Sequence, residues 1–255
     1  MADSPVLTVS DLTVTYRGRG RVVTAVSDVS LAIDAGRCLG LVGESGSGKS
    51  TIGAAVQGII PADGKAEATG RISIAGRDLT PITDPAWAKV RGADVTSVFQ
   101  DPMRSLDPTM TIGRMLNRYT GSAEASVAAL ERVQIRRAGE VLKKYPHQLS
   151  GGMRQRVMIA LALAPGPRLL IADEPTTALD VSVQAEVLSV LRESIEDAGC
   201  AVLFVTHDLG VARHMCDDIA VMKDGRVVES GPADDVIARP SDACPHRRAR
   251  HPRHR

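Results

Sequence analysis

From residue 6 to residue 36 apolar and polar side chains alternate, first in LTVSDLTVTY and then in VVTAVSDVSLAI, with the basic glycine turn RGRGR at 17 to 21 between them. A period of two sets one face of a strand against a core and the other toward water, so this pattern predicts antiparallel strands. Four later segments are patterned differently: Leu39 to Val42, Val95 to Phe99, Leu169 to Ala172 and Ala201 to Val205 are short, continuous apolar runs. Separated by helical segments, such runs predict a parallel sheet buried on both faces. Residues 70 to 79 (GRISIAGRDL) read as a hairpin turning at Ala75 and Gly76, and Asp224 and Gly225 mark another. A short helix is expected between Asp84 and Ala93. In residues 181 to 198, Val183, Val187, Leu191 and Ile195 share one helical face, and Gly199 stands where a helix ends in the left-handed conformation. Tyr16, at a strand end just before the basic turn, is placed either to pack or to lay its ring on a purine base.

In parallel sheets ligands gather at the carboxyl ends of the strands, and the residues that follow each apolar run are polar. The first run leads into Gly43, Glu44, Ser45, Gly46, Ser47, Gly48, Lys49, Ser50 and Thr51. Gly43, Gly48, Lys49 and Ser50 hold the spacing GxxxxGKS of a phosphate loop. Glycines let the backbone turn its N–H groups inward, and the helix that follows adds a positive amino-terminal end to an anion already cradled by amides. Lys49 is expected to reach the β- and γ-phosphates and Ser50 to offer its hydroxyl to Mg²⁺.

The other runs end at Gln100, at Asp173 and Glu174, and, after Thr206, at His207. A nucleoside triphosphate needs Mg²⁺ to offset its charge, and Mg²⁺ prefers one or two carboxylates and several waters, which suits Asp173. Glu174, projecting differently, could polarise the attacking water, Gln100 could contact both metal and water, and His207 could reach the γ-phosphate. Hydrolysis of this kind is positioning and electrostatics, so no serine or cysteine nucleophile is required.

A second phosphate-binding candidate is LSGGMRQR, residues 149 to 156. Ser150 is a good N-cap, and Gly151 and Gly152 allow close backbone approach at the start of a helix that runs to Pro165. Arg154 and Arg156 fall in its first turns, where positive charge opposes the helix dipole, and this predicts a missing anion.

Composition narrows the field. The 255 residues suffice for one large α/β core with a small subdomain. A formal charge of +1 and an aromatic content of 2% give neither a polyelectrolyte signal nor stacking platforms, so no nucleic-acid partner is expected. No 18-residue apolar run and no export-type amino terminus is present, and the chain is expected to be made and kept in the cytosol. Cys38, Cys200, Cys216 and Cys244 form no CxxC pair, which suits reduced, mostly buried thiols better than disulfides or a metal site. Met103, Met110 and Met115 are expected in the core rather than on a contact surface.

Taken together, these motifs resemble the nucleotide-binding subunit of an ATP-binding cassette (ABC) transporter over residues 5 to 238. LSGGMRQR is similar to the family's signature, LLIADE to its Walker B, Ala178 to Asp180 to its D-loop, Gln100 to its Q-loop, His207 to its switch histidine and Tyr16 to its adenine-stacking residue. More narrowly, FQDPMRSLDPTMTIG, YPHQLSGGMRQRVMIALAL and ADEPTTALDVSVQ resemble the dipeptide, oligopeptide and nickel importers. The resemblance implies an α/β P-loop NTPase core with a mostly parallel sheet, an amino-terminal antiparallel β subdomain and a helical subdomain inserted at about residues 101 to 150, the whole domain spanning 5 to 240. It implies ATP and Mg²⁺ as cofactors, held by the residues above together with Ser150, Gly151, Gly152 and Asp180 acting across a dimer. Implied partners are two membrane-spanning permease subunits, a second ATPase subunit, like or unlike, and indirectly an extracytoplasmic solute-binding protein. The implied place is the cytoplasmic face of the cell membrane, with a peptide or nickel chelate as solute. A non-transport ABC ATPase acting on DNA or ribosomes is the alternative, and it would need a coiled-coil insertion, a tandem cassette or a basic groove. Past Pro240 the resemblance stops, and SDACPHRRARHPRHR, residues 241 to 255, is expected to be a disordered basic tail.

Overall fold

The computed structural model describes residues 5–18, 20–61, 65–81, 85–177 and 179–239, apart from the side chains of Arg104 and Val181. The expected tail, Asp84, Ala178 and Cys244 lie outside the described residues. The chain divides into two units, Met1–Val90 with Ala201–Arg255, and Arg91–Cys200. It opens with β1 (Leu7–Gly18), β2 (Arg21–Ile33), β3 (Cys38–Gly43), α1 (Lys49–Val56), β4 (Ala66–Ile74), β5 (Arg77–Asp78) and α2 (Trp87–Val90). The second unit holds β6 (Val95–Val98), α3 (Pro102–Ser105), α4 (Ile112–Thr120), α5 (Ala123–Arg132), α6 (Ala138–Val141), α7 (Gly151–Leu163), β7 (Leu169–Asp173) and α8 (Val181–Ala198). The chain returns to the first unit with β8 (Ala201–Thr206), α9 (Leu209–Met215), β9 (Asp218–Lys223), β10 (Arg226–Pro232) and α10 (Ala233–Ala238).

In the first unit the alternating segment forms an antiparallel sheet in the order β2-β1-β4-β5. Its apolar phase shifts once along β1, from Leu7 and Val9 to Leu12 and Val14, all four of them buried. A β-bulge between Val9 and Leu12, with Asp11 at φ 52, absorbs the shift and keeps both pairs facing inward. Each such side chain, fully buried, contributes about 1.5–3 kcal/mol relative to exposure. The turn at Ala75 (φ 50) and Gly76 (φ 77) joins β4 to β5 as expected, with Ile74 opposite Arg77. The second sheet of this unit runs β10-β9-β3-β8, with β3 parallel to both β8 and β9 and the β9–β10 hairpin turning at Asp224 and Gly225. Every residue of β3 and β8 is buried, which is why these strands are apolar without alternation.

The helix expected between 84 and 93 is one turn, α2, because Gly92 turns the chain at φ 75 directly after it. Trp87 fixes that turn: its Nε1 donates to the Leu79 carbonyl at 3.1 Å, and its ring lies over Gly58.

In the second unit β6 and β7 pair in parallel from Val95 opposite Leu169 to Val98 opposite Ala172. Between them lie the short helices α3 to α6, with N-caps from Asp101, Thr111 and Ser122 where side-chain oxygens accept amide hydrogens. Met110 and Met115 are buried, but Met103 is 42% exposed, a correction to its expected place in the core. It sits on α3, a helix of 4 residues, too short to carry an apolar face against a neighbour. α8 buries Val187, Leu191 and Ile195, while Val183, at its start, is only half-buried, and Gly199 ends the helix at φ 61. Among the described residues, no helix is long and apolar enough to cross a membrane.

Candidate nucleotide-binding site

β3 ends at Gly43, and the chain reaches α1 through Gly46 (φ 82) and Gly48 (φ 104), conformations that an L side chain rarely adopts. Close packing adds a second reason for glycine: a Cβ at Gly43 would lie 2.4 Å from the Met222 carbonyl oxygen, and one at Gly48 would lie 2.5 Å from that of Ala25. The loop is pinned from outside, since Gly225 N–H donates to the Ser47 carbonyl at 3.1 Å and Ser27 N–H to the Gly225 carbonyl at 2.8 Å. Lys49 is 5% exposed, and its Nζ donates to the carbonyls of Gly43 at 2.8 Å and Glu44 at 2.9 Å. The first intrahelical bond runs from Ile52 N–H to the Gly48 carbonyl at 3.1 Å, so the amides of Lys49, Ser50 and Thr51 stand ahead of it at the positive end of α1. Ser47 Oγ is buried without a hydrogen-bond partner among the described residues, and Glu44, Ser45, Gly46 and Ser50 are exposed. A buried lysine, an orphaned buried hydroxyl and a run of leading amides fit a polyphosphate.

His207 belongs to the same edge, because it follows Thr206, which pairs with Val42 in the parallel ladder. It is exposed, and Asp208 after it caps α9, accepting from Gly210 N–H at 2.7 Å and Val211 N–H at 3.2 Å. Tyr16 is half-buried on β1 opposite Val23, two residues before the Ala25 that closes over Gly48.

In the second unit the parallel ladder ends at Val98 and Ala172, so Gln100 and the pair Asp173 and Glu174 leave from one edge. Gln100 is exposed, and both carboxylates are half-buried. Glu174 has φ 47, unusual for a residue with a side chain, and Thr177 Oγ1 donates to its Oε2 at 3.1 Å. An acidic pair and one amide leaving the same strand edge are oxygen donors of the kind that Mg²⁺ takes alongside phosphate oxygens and water.

Ser150 caps α7 as expected, accepting from Met153 N–H at 3.3 Å. Ser150, Gly151 and Gly152 line a groove of 590 Å³ with Asp180 and Arg136. Asp180 caps α8, and the Val183 N–H and the Ser182 hydroxyl hold its carboxyl below the ordinary aspartate value. Gly152 is also close-packed, since a Cβ there would meet Val183 Cγ1 at 2.7 Å.

Arg154 and Arg156, which prompt the expectation of an anion at this helix start, have acceptors within the protein. Arg154 Nε donates to the Pro146 carbonyl at 2.9 Å, and Arg156 donates to the Gln134 carbonyl at 3.2 Å and to Glu186 at 3.1 Å. These tertiary acceptors offset their unfavourable position on the helix. Two further residues in this region carry no individual signal in the sequence. Arg136 signals itself only as one of two adjacent arginines in a loop, and Gln155 looks like a surface residue of the signature yet is 1% exposed. Cys38, Cys200 and Cys216 are buried and form no disulfide, and Cys38 and Cys216, though 178 residues apart, have Sγ atoms 3.6 Å from each other.

A family model described as "ABC transporter" matches residues 26–177. The oligopeptide transport ATP-binding protein OppD of Haemophilus influenzae is 43% identical over 93% of this chain and 76% of its own length. The peptidoglycan transport ATP-binding protein YejF of Agrobacterium fabrum is 44% identical over 94% of this chain, which spans only 45% of that protein. Among solved structures, the ATP-binding cassette MJ0796, in a dimeric post-hydrolysis state bound to ADP and Pi, aligns with a TM-score of 0.74 at 30% identity, covering 89% of this chain and 98% of that one.

Proposed function

Because the chain belongs to the ABC transporter family, whose P-loop NTPase fold and ATP hydrolysis it shares, we propose that it powers an importer, coupling MgATP binding and hydrolysis to uptake of di- or oligopeptides. The observation that carries this reading is a phosphate loop complete to its buried Lys49 and orphaned Ser47 hydroxyl in a chain 43% identical to OppD. In this reading Lys49 leaves the carbonyls of Gly43 and Glu44 for the β- and γ-phosphates, and the amides of Lys49, Ser50 and Thr51 receive phosphate oxygens. Glu44, Ser45, Gly46, Ser47 and Gly48 wrap the phosphates, and Tyr16 lies against the base. Mg²⁺, when bound, offsets the phosphate charge and polarises the γ-phosphoryl group. Ser50, Asp173 and Gln100 hold it, Glu174 accepts a hydrogen bond from the attacking water and orients it, and His207 contacts the γ-phosphate.

Ser150, Gly151, Gly152 and Asp180 serve the nucleotide of a second cassette, like or unlike, packed head to tail on this one. Two permease subunits hold the pair at the cytoplasmic face of the membrane, and a solute-binding protein delivers the peptide outside. The test is to purify the chain with its native partners in mild detergent, reconstitute the complex in vesicles and follow uptake of a labelled oligopeptide. Uptake that needs ATP and is lost with Glu174→Gln is the expected result. Isolation with soluble partners alone, or an ATP-driven complex that ignores peptides, overturns the importer reading.

A further inference from the structure

The side chain of Gln155, on the second turn of α7, is buried at 1% exposure, and its Nε2 donates both hydrogens. One goes to the carbonyl of Pro175, the residue after Glu174, and the other reaches the carbonyl of Phe99, the residue before Gln100, at 3.5 Å. The choice of atoms is forced. Turning the amide over would aim Oε1 at two carbonyl oxygens, three acceptors without a donor. In the orientation seen, Oε1 itself has no hydrogen-bond partner among the described residues. The fold thus accepts an unsatisfied buried acceptor in order to keep two donors on these carbonyls.

Their place explains the need. The β6–β7 ladder stops at Val98 and Ala172 and β7 itself ends at Asp173, so neither Gln100 nor Glu174 is held by the pairing of these two strands. Glu174 moreover sits at φ 47, a conformation that persists only when its surroundings enforce it. Resting on the role proposed for Glu174, we infer that Gln155 is a positioning residue for hydrolysis: it pins the carbonyls of Phe99 and Pro175 and so fixes the backbone that aims Gln100 and Glu174. One amide on the signature helix thereby replaces the missing rungs of the ladder.

The test uses the full chain and measures ATP turnover, ATP affinity and thermal midpoint for three variants. Gln155→Met keeps length and volume but donates nothing. It should lower kcat about tenfold or more while ATP affinity stays within about twofold, because the phosphate loop is untouched. Val157→Ala, at a fully buried position on the same helix, is the control for lost stability, and its kcat should stay within about twofold. Gln155→Glu adds a readout that a purely structural residue would not move. A buried carboxylate facing two carbonyls is pushed up in pKa and, once protonated, regains one donor, so its turnover relative to the parent should rise as pH falls from about 8 to about 6. If Gln155→Met does not fold, this pH profile carries the test alone.

Turnover of Gln155→Met within twofold of the parent, a loss matched by Val157→Ala, or a flat relative profile for Gln155→Glu overturns the inference. Glu174→Gln is run beside them. If it loses turnover while Gln155→Met keeps it, only the role of Gln155 fails, and if Glu174→Gln keeps turnover the catalytic reading itself fails.

Discussion

Lys49 Nζ closes the phosphate loop on itself, donating to the Gly43 carbonyl at 2.8 Å from six residues further along the chain. An ammonium buried to 5% exposure needs such acceptors, and phosphate oxygens are better ones because they carry charge. The same group thus shapes the loop and, in the proposed function, turns to the nucleotide. Lys49→Ala should therefore weaken MgATP binding about tenfold or more, as titration calorimetry would read it, with turnover falling because the site is unfilled. Unchanged affinity would remove Lys49 from the phosphates.

Glu174→Gln should behave in the opposite way. Glutamine keeps the shape and an accepting oxygen for Thr177 Oγ1, which in the parent bonds Oε2 at 3.1 Å, but it loses the charge proposed to orient water. ATP affinity should stay within about twofold while kcat drops about a hundredfold, and with ATP trapped a dimer should accumulate. Light scattering in MgATP reads the dimer, and normal turnover would leave Glu174 a structural carboxylate.

The phosphate loop was legible from Gly43, Gly48, Lys49 and Ser50 because backbone chemistry fixes their spacing, and the turns at Ala75–Gly76 and Asp224–Gly225 were legible because few residues take positive φ. The edges carrying His207 and Glu174 followed from where apolar runs stop. What stayed hidden depends on partners distant in sequence. The pairing of Arg156 with Glu186, 30 residues on, is invisible to a local dipole argument. Gln155 lay within a recognised motif, but only packing reveals that it is buried against Phe99 and Pro175. Met103 departs from Met110 and Met115 for the same reason, since composition says nothing of which turn a neighbour covers.

Gly152 offers a test that separates packing from chemistry. A Cβ there meets Val183 Cγ1 at 2.7 Å, a side-chain contact that can be relieved. Gly152→Ala should cost about 1–3 kcal/mol in urea unfolding, and adding Val183→Ala should recover most of it. If Gly152 also keeps the backbone open to a nucleotide, as proposed, ATP turnover by the dimer stays low in the stable double variant. Recovered turnover would make the glycine a packing residue only.

Gly58 should be less forgiving. Its φ is 64 and a Cβ would lie 2.3 Å from Trp87 Cδ2, so Gly58→Ala combines backbone strain with a ring that must move. A loss of about 2–3 kcal/mol is expected. The chain has 1 tryptophan, so its fluorescence reports the displacement directly, and an unshifted emission with full stability would contradict the packing.

Asp180 links the groove at Ser150 to pH. Its Oδ1 accepts from Val183 N–H at 3.1 Å and from the Ser182 hydroxyl at 2.8 Å, and these bonds favour the ionised form and hold its carboxyl below the ordinary 3.8. A group depressed in the folded state adds stability at pH values above its unfolded pKa, and that contribution is lost as pH falls through the folded one. Asp180→Asn keeps a capping oxygen but does not titrate. The stability difference between parent and variant should therefore be constant from pH 7 to about 5, then shift against the parent once pH passes below about 4. Urea midpoints measured in parallel cancel the other carboxylates, which titrate in both proteins. A difference that stays flat down to pH 3 would mean that the carboxylate does not cap α8 in solution, and would release Asp180 from the groove it shares with Ser150.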